Sequence, residues 1–172
     1  MWLSDRNIPY RALRPTRRAV VFGLTGISLV GCGFEPALGT NGTLGAFQSR
    51  IRFDDPVDRN GFTLKTALED RIGQGKDFGL SYQIETNVLD IGITPDRVIT
   101  GQQIEGTVSF ELVNIATGRV ILSDKVEGFT SFGTTGTTAS TAFANEAALD
   151  RLMIILSEKI IRRLSILPRV PV

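Results

Sequence analysis

The chain contains no histidine and only one cysteine, and each scarcity removes a class of chemistry. Histidine is the commonest metal ligand and the commonest acid–base catalyst in proteins, so its absence argues against zinc sites and histidine-based catalysis. A single cysteine cannot form a disulfide within the chain. No GxSxG, HExxH, phosphate-binding loop or metal-spaced Cys/His pair occurs. The sequence therefore predicts a protein that is not an enzyme and that uses no cofactor and no metal.

Excess positive charge is confined to the first 31 residues. The chain has a formal net charge of +1. The segment before Cys32 holds one acid, Asp5, and the arginines Arg6, Arg11, Arg14, Arg17 and Arg18. Removing this excess of four charges from +1 leaves −3 for the remainder. The remainder has no basic surface of the kind that binds nucleic acid, and no nucleic-acid partner is expected.

An apolar stretch of about 20 residues, the length that spans a bilayer as a helix, is also missing. The longest apolar run, AVVFGLTGISLV at residues 19–30, is shorter. Positive charge precedes it and small residues follow it, which is typical of a secretory signal peptide. We expect residues 1–31 to be removed. The sequence leaves open whether export uses the general secretory route or the twin-arginine route, because Arg17 and Arg18 form a pair.

The only cysteine ends this segment. Residues 29–32, Leu-Val-Gly-Cys, resemble the bacterial lipobox. In that class of signals the chain is cut before the cysteine, its sulfur receives diacylglycerol, and its new amine receives a fatty acyl group such as palmitate. Two or three acyl chains make a stable anchor. We expect lipidation at Cys32 rather than an ordinary buried thiol, and Gly33 in place of an aspartate favours the periplasmic side of the outer membrane.

The rest of the chain predicts a single α+β domain. Residues 32–46 form the lipidated cysteine and a flexible tether, residues 47–167 the domain, and residues 168–172 a tail. A strand is expected at residues 47–53, and a helix follows, with Leu64, Leu68 and Ile72 as its apolar stripe and Asn60 as its N-cap.

Period-two patterns predict strands at residues 80–93, 98–113 and 120–132, and a long striped helix covers residues 141–167. Tyr82, Ile84, Thr86 and Val88 share one face of the first of these strands, and Val108, Phe110 and Leu112 point inward from the second. The order is β-α-β-β-β-α. It predicts a two-layer sandwich in which two helices cover one face of a four-stranded, largely antiparallel sheet.

Two groups of charged residues could bind a ligand. Asp54, Asp55 and Asp58 could hold a cation, although acids before a helix are more often solvated or matched to the helix dipole. Arg97, Arg119 and Lys125 lie in or beside the central strands. They could contact the phosphates of a glycolipid such as lipopolysaccharide, or be ordinary solvated charges.

Four segments, taken in order, resemble one protein family. The opening CGFEPALG resembles the Cys-Gly-Phe-x-Pro-Leu-Tyr-Gly start of the LptE family, in particular its alphaproteobacterial branch, with Ala37 and Leu38 where that pattern has Leu and Tyr. LKTALEDRI is similar to the first-helix segment of the family, and ATGRVI to its strand turn. FANEAALDRLMIILSEKIIRRL is similar to its final helix.

This resemblance implies an outer-membrane lipoprotein that plugs the LptD β-barrel and helps it to assemble for lipopolysaccharide transport. Only Cys32 carries over from the family residue by residue. Two other readings stay open at this point. One is an auxiliary lipoprotein of an envelope ABC-type lipid transporter, and the other is a lipid-anchored hydrolase of unfamiliar kind.

Overall fold

The computed structural model describes residues 43–167. The predicted signal peptide, Cys32, residues 33–42 of the tether and the tail lie outside these residues. The elements in chain order are α1 (Thr43–Phe47), β1 (Ile51–Phe53), α2 (Arg59–Ile72), β2 (Phe78–Ile93), β3 (Ile99–Asn114), β4 (Val120–Gly133) and α3 (Thr138–Ser165). None of the described helices is both long and apolar enough to cross a membrane.

The four strands form one sheet in the order β1-β2-β3-β4. The pairs β2–β3 and β3–β4 are antiparallel, because short turns join these strands. By contrast, β1 runs parallel to β2, since α2 carries the chain back across the sheet between them. The α+β class and the four-stranded sheet with helices packed on it are therefore confirmed, and the sheet is mixed rather than wholly antiparallel.

The core lies between the helices and one face of the sheet. The predicted stripe of Leu64, Leu68 and Ile72 on α2 is fully buried or nearly so. Even-numbered side chains of the sheet and one side of α3 supply the rest: Leu80, Ile104, Val108, Phe110, Leu112, Val126, Leu152, Met153, Leu156, Ile160 and Leu164. This face burial is what the period-two and helical patterns predict.

Two glycines let α3 approach the sheet closely. Gly106 on β3 and Gly128 on β4 are register partners beneath the helix. A Cβ atom on Gly106 would lie 2.9 Å from Leu152 Cδ2 and 3.1 Å from Leu156 Cδ1. Larger residues at this point would push the helix outward, since real Cβ contacts are almost never this short.

Three local predictions were wrong. A strand was expected at residues 47–53, but Phe47 ends the short helix α1 and β1 begins only at Ile51. The N-cap of α2 is Asp58 rather than Asn60, because the Asp58 carboxylate accepts a hydrogen bond from the Gly61 N–H at 2.7 Å. The last helix begins at Thr138, three residues earlier than expected, after the N-cap Thr137.

The helical layer leaves the second half of β2 uncovered. The inner face of β2 is covered as far as Ile84, whereas Thr86 and Val88 on the same face are exposed. Val88 exposes 50% of its surface, although its register partner Ile104 on β3 is completely buried. The prediction that Val88 shares a face with Tyr82 holds, but nothing among residues 43–167 buries that part of the face.

Candidate functional site

The face of the sheet opposite the helices, here called the polar face, is not covered by any other element among residues 43–167. It consists of odd-numbered side chains because the even-numbered ones point into the core. Strand β2 contributes Ser81, Gln83, Glu85, Asn87, Leu89 and Ile91; β3 contributes Gln103, Glu105, Thr107, Ser109 and Glu111; and β4 contributes Ser123, Lys125, Glu127, Phe129 and Ser131. Serine, threonine, amide and carboxylate groups predominate, so the polar face is suited to a polar partner surface.

The polar face is acidic. Its charged members are Lys125 and the glutamates Glu85, Glu105, Glu111 and Glu127. Lys125 Nζ lies 2.8 Å from Glu127 Oε1. Their hydrogen bond and mutual attraction lower the pKa of the Glu127 carboxyl and raise the pKa of Lys125. Both groups are exposed, so water screens the pair and it adds little to stability.

The three candidate glycolipid contacts do not converge. Arg97 lies in the β2–β3 turn, where its backbone has a φ of 61°. Arg119 lies in the β3–β4 turn at the other end of β3, where its carbonyl accepts a hydrogen bond from the Asn114 N–H at 2.9 Å. With 16 residues, β3 spans about 50 Å between the two turns. Lys125 lies on the polar face between them, and these three residues therefore form no common site.

A basic groove was not foreseen from the sequence. Lys159, Arg162 and Arg163 on the last turns of α3 line a groove of about 590 Å³ together with Lys125 and Glu127 of the edge strand β4. Arg163 Nε also lies 3.2 Å from the carboxylate of Asp124. The three- and four-residue spacing of the helical cations was visible in the sequence, but their approach to Lys125 depends on how α3 lies on the sheet.

The acids before α2 have structural partners. Asp58 caps α2, and Asp55 Oδ1 lies 3.0 Å from Lys65 Nζ. Within residues 43–167 no group of three or more acids, cysteines or histidines is arranged to hold a metal ion.

The one tyrosine of the described residues has a perturbed phenol. Burial, followed by the charges of nearby acids led by Asp54, raises the pKa of Tyr82. Its hydroxyl donates to the Gly61 carbonyl at 3.2 Å and so ties β2 to the start of α2. A neutral, hydrogen-bonded phenol in this position supports packing and offers no acid–base chemistry near neutral pH.

Comparisons with known proteins add a family and a set of folds. The family model LptE, lipopolysaccharide-assembly, matches residues 48–164. A protein described as a lipoprotein from Caulobacter crescentus is similar at 15% identity and a TM-score of 0.61, over 74% of this chain and 96% of that one. No curated protein matches the chain.

Two further solved structures are similar. The minor lipoprotein of Acinetobacter baumannii is 15% identical with a TM-score of 0.54, over 74% of this chain and 98% of that one. The rare lipoprotein B of Shewanella oneidensis is 12% identical with a TM-score of 0.53, over 69% of this chain and 93% of that one. At these identities the structures establish a shared fold.

Proposed function

Because the chain belongs to the LptE family of lipopolysaccharide-assembly proteins, we propose that it is a plug inside the LptD β-barrel of the outer membrane. It helps the barrel to assemble and stays in its lumen while lipopolysaccharide passes to the outer leaflet. It carries out no catalytic step. The observation that carries the proposal is the family match, which runs over residues 48–164 and so includes every strand and nearly all of α3.

The polar face supports this role. The lumen of a large outer-membrane barrel is polar, whereas its outer surface is apolar. Apart from Leu89, Ile91 and Phe129, the polar face consists mainly of carboxylate, amide and hydroxyl groups, which can contact such a lumen without placing charges against hydrocarbon. The helices meanwhile seal the core on the other side of the sheet, so the domain keeps its fold while the polar face is engaged.

We propose that acyl chains on Cys32 hold the domain at the periplasmic side of the outer membrane. The support is the lipobox at residues 29–32 and the glycine that follows it. The intact mass of the membrane-extracted protein should correspond to a chain that begins at Cys32 and carries acyl groups, and Cys32→Ala should leave uncleaved or soluble protein. An unmodified wild-type chain that begins at Met1 would contradict the anchor.

Arg97, Arg119 and Lys125 remain candidate contacts to lipopolysaccharide phosphates. These three residues lie at separate places on the domain. A plug that makes many dispersed contacts should therefore tolerate the loss of any one of them. We expect Arg97→Ala, Arg119→Ala and Lys125→Ala each to change transport by about twofold or less, since exposed charges contribute little individually. Lys76→Ala, which removes an exposed charge before β2, is the matched control.

Depletion in the host cell tests the function as a whole. The LptD barrel should be misassembled and lipopolysaccharide should be missing from the cell surface. If one of the three variants abolishes transport while the barrel assembles normally, that residue contacts the glycolipid directly. A normal barrel and normal surface lipopolysaccharide with defective phospholipid traffic would refute the plug and favour the auxiliary lipoprotein of an ABC-type lipid transporter.

A further inference from the structure

The two edges of the sheet differ in how their backbone groups are used. On β4, the carbonyl of Ser131 accepts a hydrogen bond from Arg151 Nη2 at 3.3 Å, and the carbonyl of Glu127 accepts one from Lys159 Nζ. Both cations belong to α3. Charged side chains along an edge are a way in which proteins prevent unwanted strand pairing. Two carbonyls of the β4 edge are therefore capped by the helix that packs on this strand.

Strand β2 forms the opposite edge after β1 ends, since β1 pairs with β2 only as far as Leu80. There the Phe78 N–H donates to the Arg50 carbonyl at 3.0 Å, and the Leu80 carbonyl accepts from the Asp54 N–H at 3.1 Å. These two even-numbered residues of β2 therefore direct their backbone groups away from β3.

The alternation of even- and odd-numbered residues also identifies the unpaired backbone groups farther along β2. The N–H and C=O of one strand residue point to the same side, and the side alternates along the strand. The β2–β3 register is unbroken to Ile91. The groups that point away from β3 beyond Leu80 therefore belong to Tyr82, Ile84, Thr86, Val88 and Asp90. No backbone group of these five residues has a hydrogen-bond partner at this edge within residues 43–167.

The side chains around this edge do not protect it. Residues 80–93 contain no lysine, arginine or proline, the residues that usually blunt an edge strand. Val88 exposes 50% and Leu89 41% of its surface, one on each face of the sheet. The acids Glu85 and Asp90 flank this apolar pair. The edge thus offers backbone pairing, apolar contact and negative charge together.

We propose that the β2 edge from Tyr82 to Asp90 binds an extended segment of a partner protein by strand addition. The segment would place apolar side chains beside Val88 on one face of the sheet and beside Leu89 on the other, and a lysine or arginine beside Glu85. Main-chain hydrogen bonds supply much of the affinity in this mode of recognition, and the alternating side chains supply specificity.

Charge complementarity favours this occupant over a second copy of the chain. Pairing of two β2 edges would continue the same sheet and place two acidic polar faces side by side, whereas a basic segment neutralises them. The inference rests on the proposed function, because it describes how the plug holds its partner. Amide exchange and identification of the co-purified protein therefore measure backbone protection and partner identity separately.

Amide exchange of the full chain provides that test. The protein extracted with its native partner is compared with the recombinant full chain alone, and exchange is read residue by residue. The recombinant chain should protect Glu85, Asn87 and Leu89, which face β3, and leave Thr86 and Val88 unprotected. In the native assembly, Thr86 and Val88 should exchange at least about tenfold more slowly.

Two outcomes overturn the inference, and a third supports it while refuting the proposed function. Unchanged exchange at Thr86 and Val88 in the native assembly would refute strand addition, even if LptD is the co-purified protein. Equal protection of odd- and even-numbered amides in the chain alone would refute the assignment of the even-numbered amides to the free edge of β2. Protection of Thr86 and Val88 by a partner other than the barrel would support strand addition and refute the plug.

A pair of variants separates backbone pairing from side-chain contact. Val88→Pro removes an edge N–H and keeps apolar bulk, and such prolines are tolerated on edge strands. Val88→Ala keeps the N–H. We expect Val88→Pro to lower the co-purified partner about tenfold relative to Val88→Ala at equal melting temperature. Equal yields from the two variants would refute strand addition, and Thr86→Pro replaces Val88→Pro if the latter unfolds.

Discussion

Replacement of Leu156 by alanine measures how firmly α3 is packed on the sheet. Leu156 is completely buried, and its two methyl groups lie 3.1 Å and 3.4 Å from the positions that Cβ atoms on Gly106 and Gly128 would occupy. The truncated side chain would leave a cavity whose floor is formed by two glycines. No side chain at these two positions can move in to fill it. We therefore expect a loss of about 3–5 kcal/mol, the upper part of the range for buried leucines.

Urea denaturation followed by circular dichroism is the assay, on the chain without residues 1–31 and with Cys32→Ser. With a slope of about 2 kcal/mol per molar urea, a loss of about 4 kcal/mol lowers the midpoint by about 2 M. Glu158→Ala, on the exposed side of the same helix, is the control and should cost about 0.5 kcal/mol or less. Similar losses for the two variants would mean that α3 is not buried in this orientation.

A double variant tests the glycine floor itself. Gly106→Ala alone should destabilise, because its methyl group would meet Leu152 and Leu156 at 2.9 Å and 3.1 Å. In the Leu156→Ala background the same methyl enters the vacated space. The double variant should therefore be more stable than the sum of the two losses predicts, by about 1 kcal/mol. Strict additivity would show that the residues are not in contact.

Three further perturbations report on single contacts. Tyr82 should ionise above the ordinary tyrosine pKa in an absorbance titration of the chain without residues 1–31, which holds no other tyrosine. Its contribution to stability is therefore present below the pKa of the unfolded state and is lost as the pH rises through the folded-state pKa. A normal pKa would contradict the burial of its phenol. Because Asp58 is the N-cap of α2, Asp58→Ala should destabilise the protein by about 1 kcal/mol in thermal melts, and Asn60→Ala by less. The reverse order would favour Asn60 as the N-cap, as the sequence predicted. The Glu127 carboxyl should titrate in an NMR experiment below the ordinary glutamate pKa, so that its small contribution to stability is lost as the pH falls through the folded-state pKa. Lys125→Ala should return the pKa of Glu127 towards normal. An unchanged pKa in that variant would exclude the ion pair.

The core was predictable because each element carries its own periodicity. Leu64, Leu68 and Ile72 are spaced for one side of a helix, and Val108, Phe110 and Leu112 for one side of a strand, and all of them are buried. The β3–β4 turn was also predictable, since Gly118 has a φ of 66° and only glycine adopts that region without strain.

The limits of the sequence are clearest at Val88. Alternation assigns a side chain to a face of the sheet, but it does not tell whether another layer covers that face. The register partner of Val88 is Ile104 on β3, which is completely buried, whereas Val88 exposes 50% of its surface. The helical layer therefore covers β3 at this level and leaves β2 open. The exposure of Val88 depends on where the helices lie across the sheet, which is set by contacts between elements that are far apart in the chain.

The sequence also could not decide which of two residues with similar side chains caps a helix. Asp58 and Asn60 both have the side chain of an N-cap. Tertiary contacts favour a helix that begins at Arg59, whose guanidinium lies 3.1 Å from Asp150 of α3. In the same way, the basic groove depends on the position of α3 along the sheet, which residue spacing within the helix does not define.

The glycine pair under α3 also bears on solubility. Because Gly106 and Gly128 create a flat place on the sheet that receives two leucines of the helix, they fix the position of α3 along β4. That position brings Arg151 and Lys159 to the two β4 carbonyls that they cap. A large side chain at Gly106, where even a Cβ atom would lie 2.9 Å from Leu152 Cδ2, would displace the helix and withdraw both caps from a strand of 14 residues. Damage at this glycine would then appear as aggregation through the uncovered β4 edge, while much of the fold stays intact.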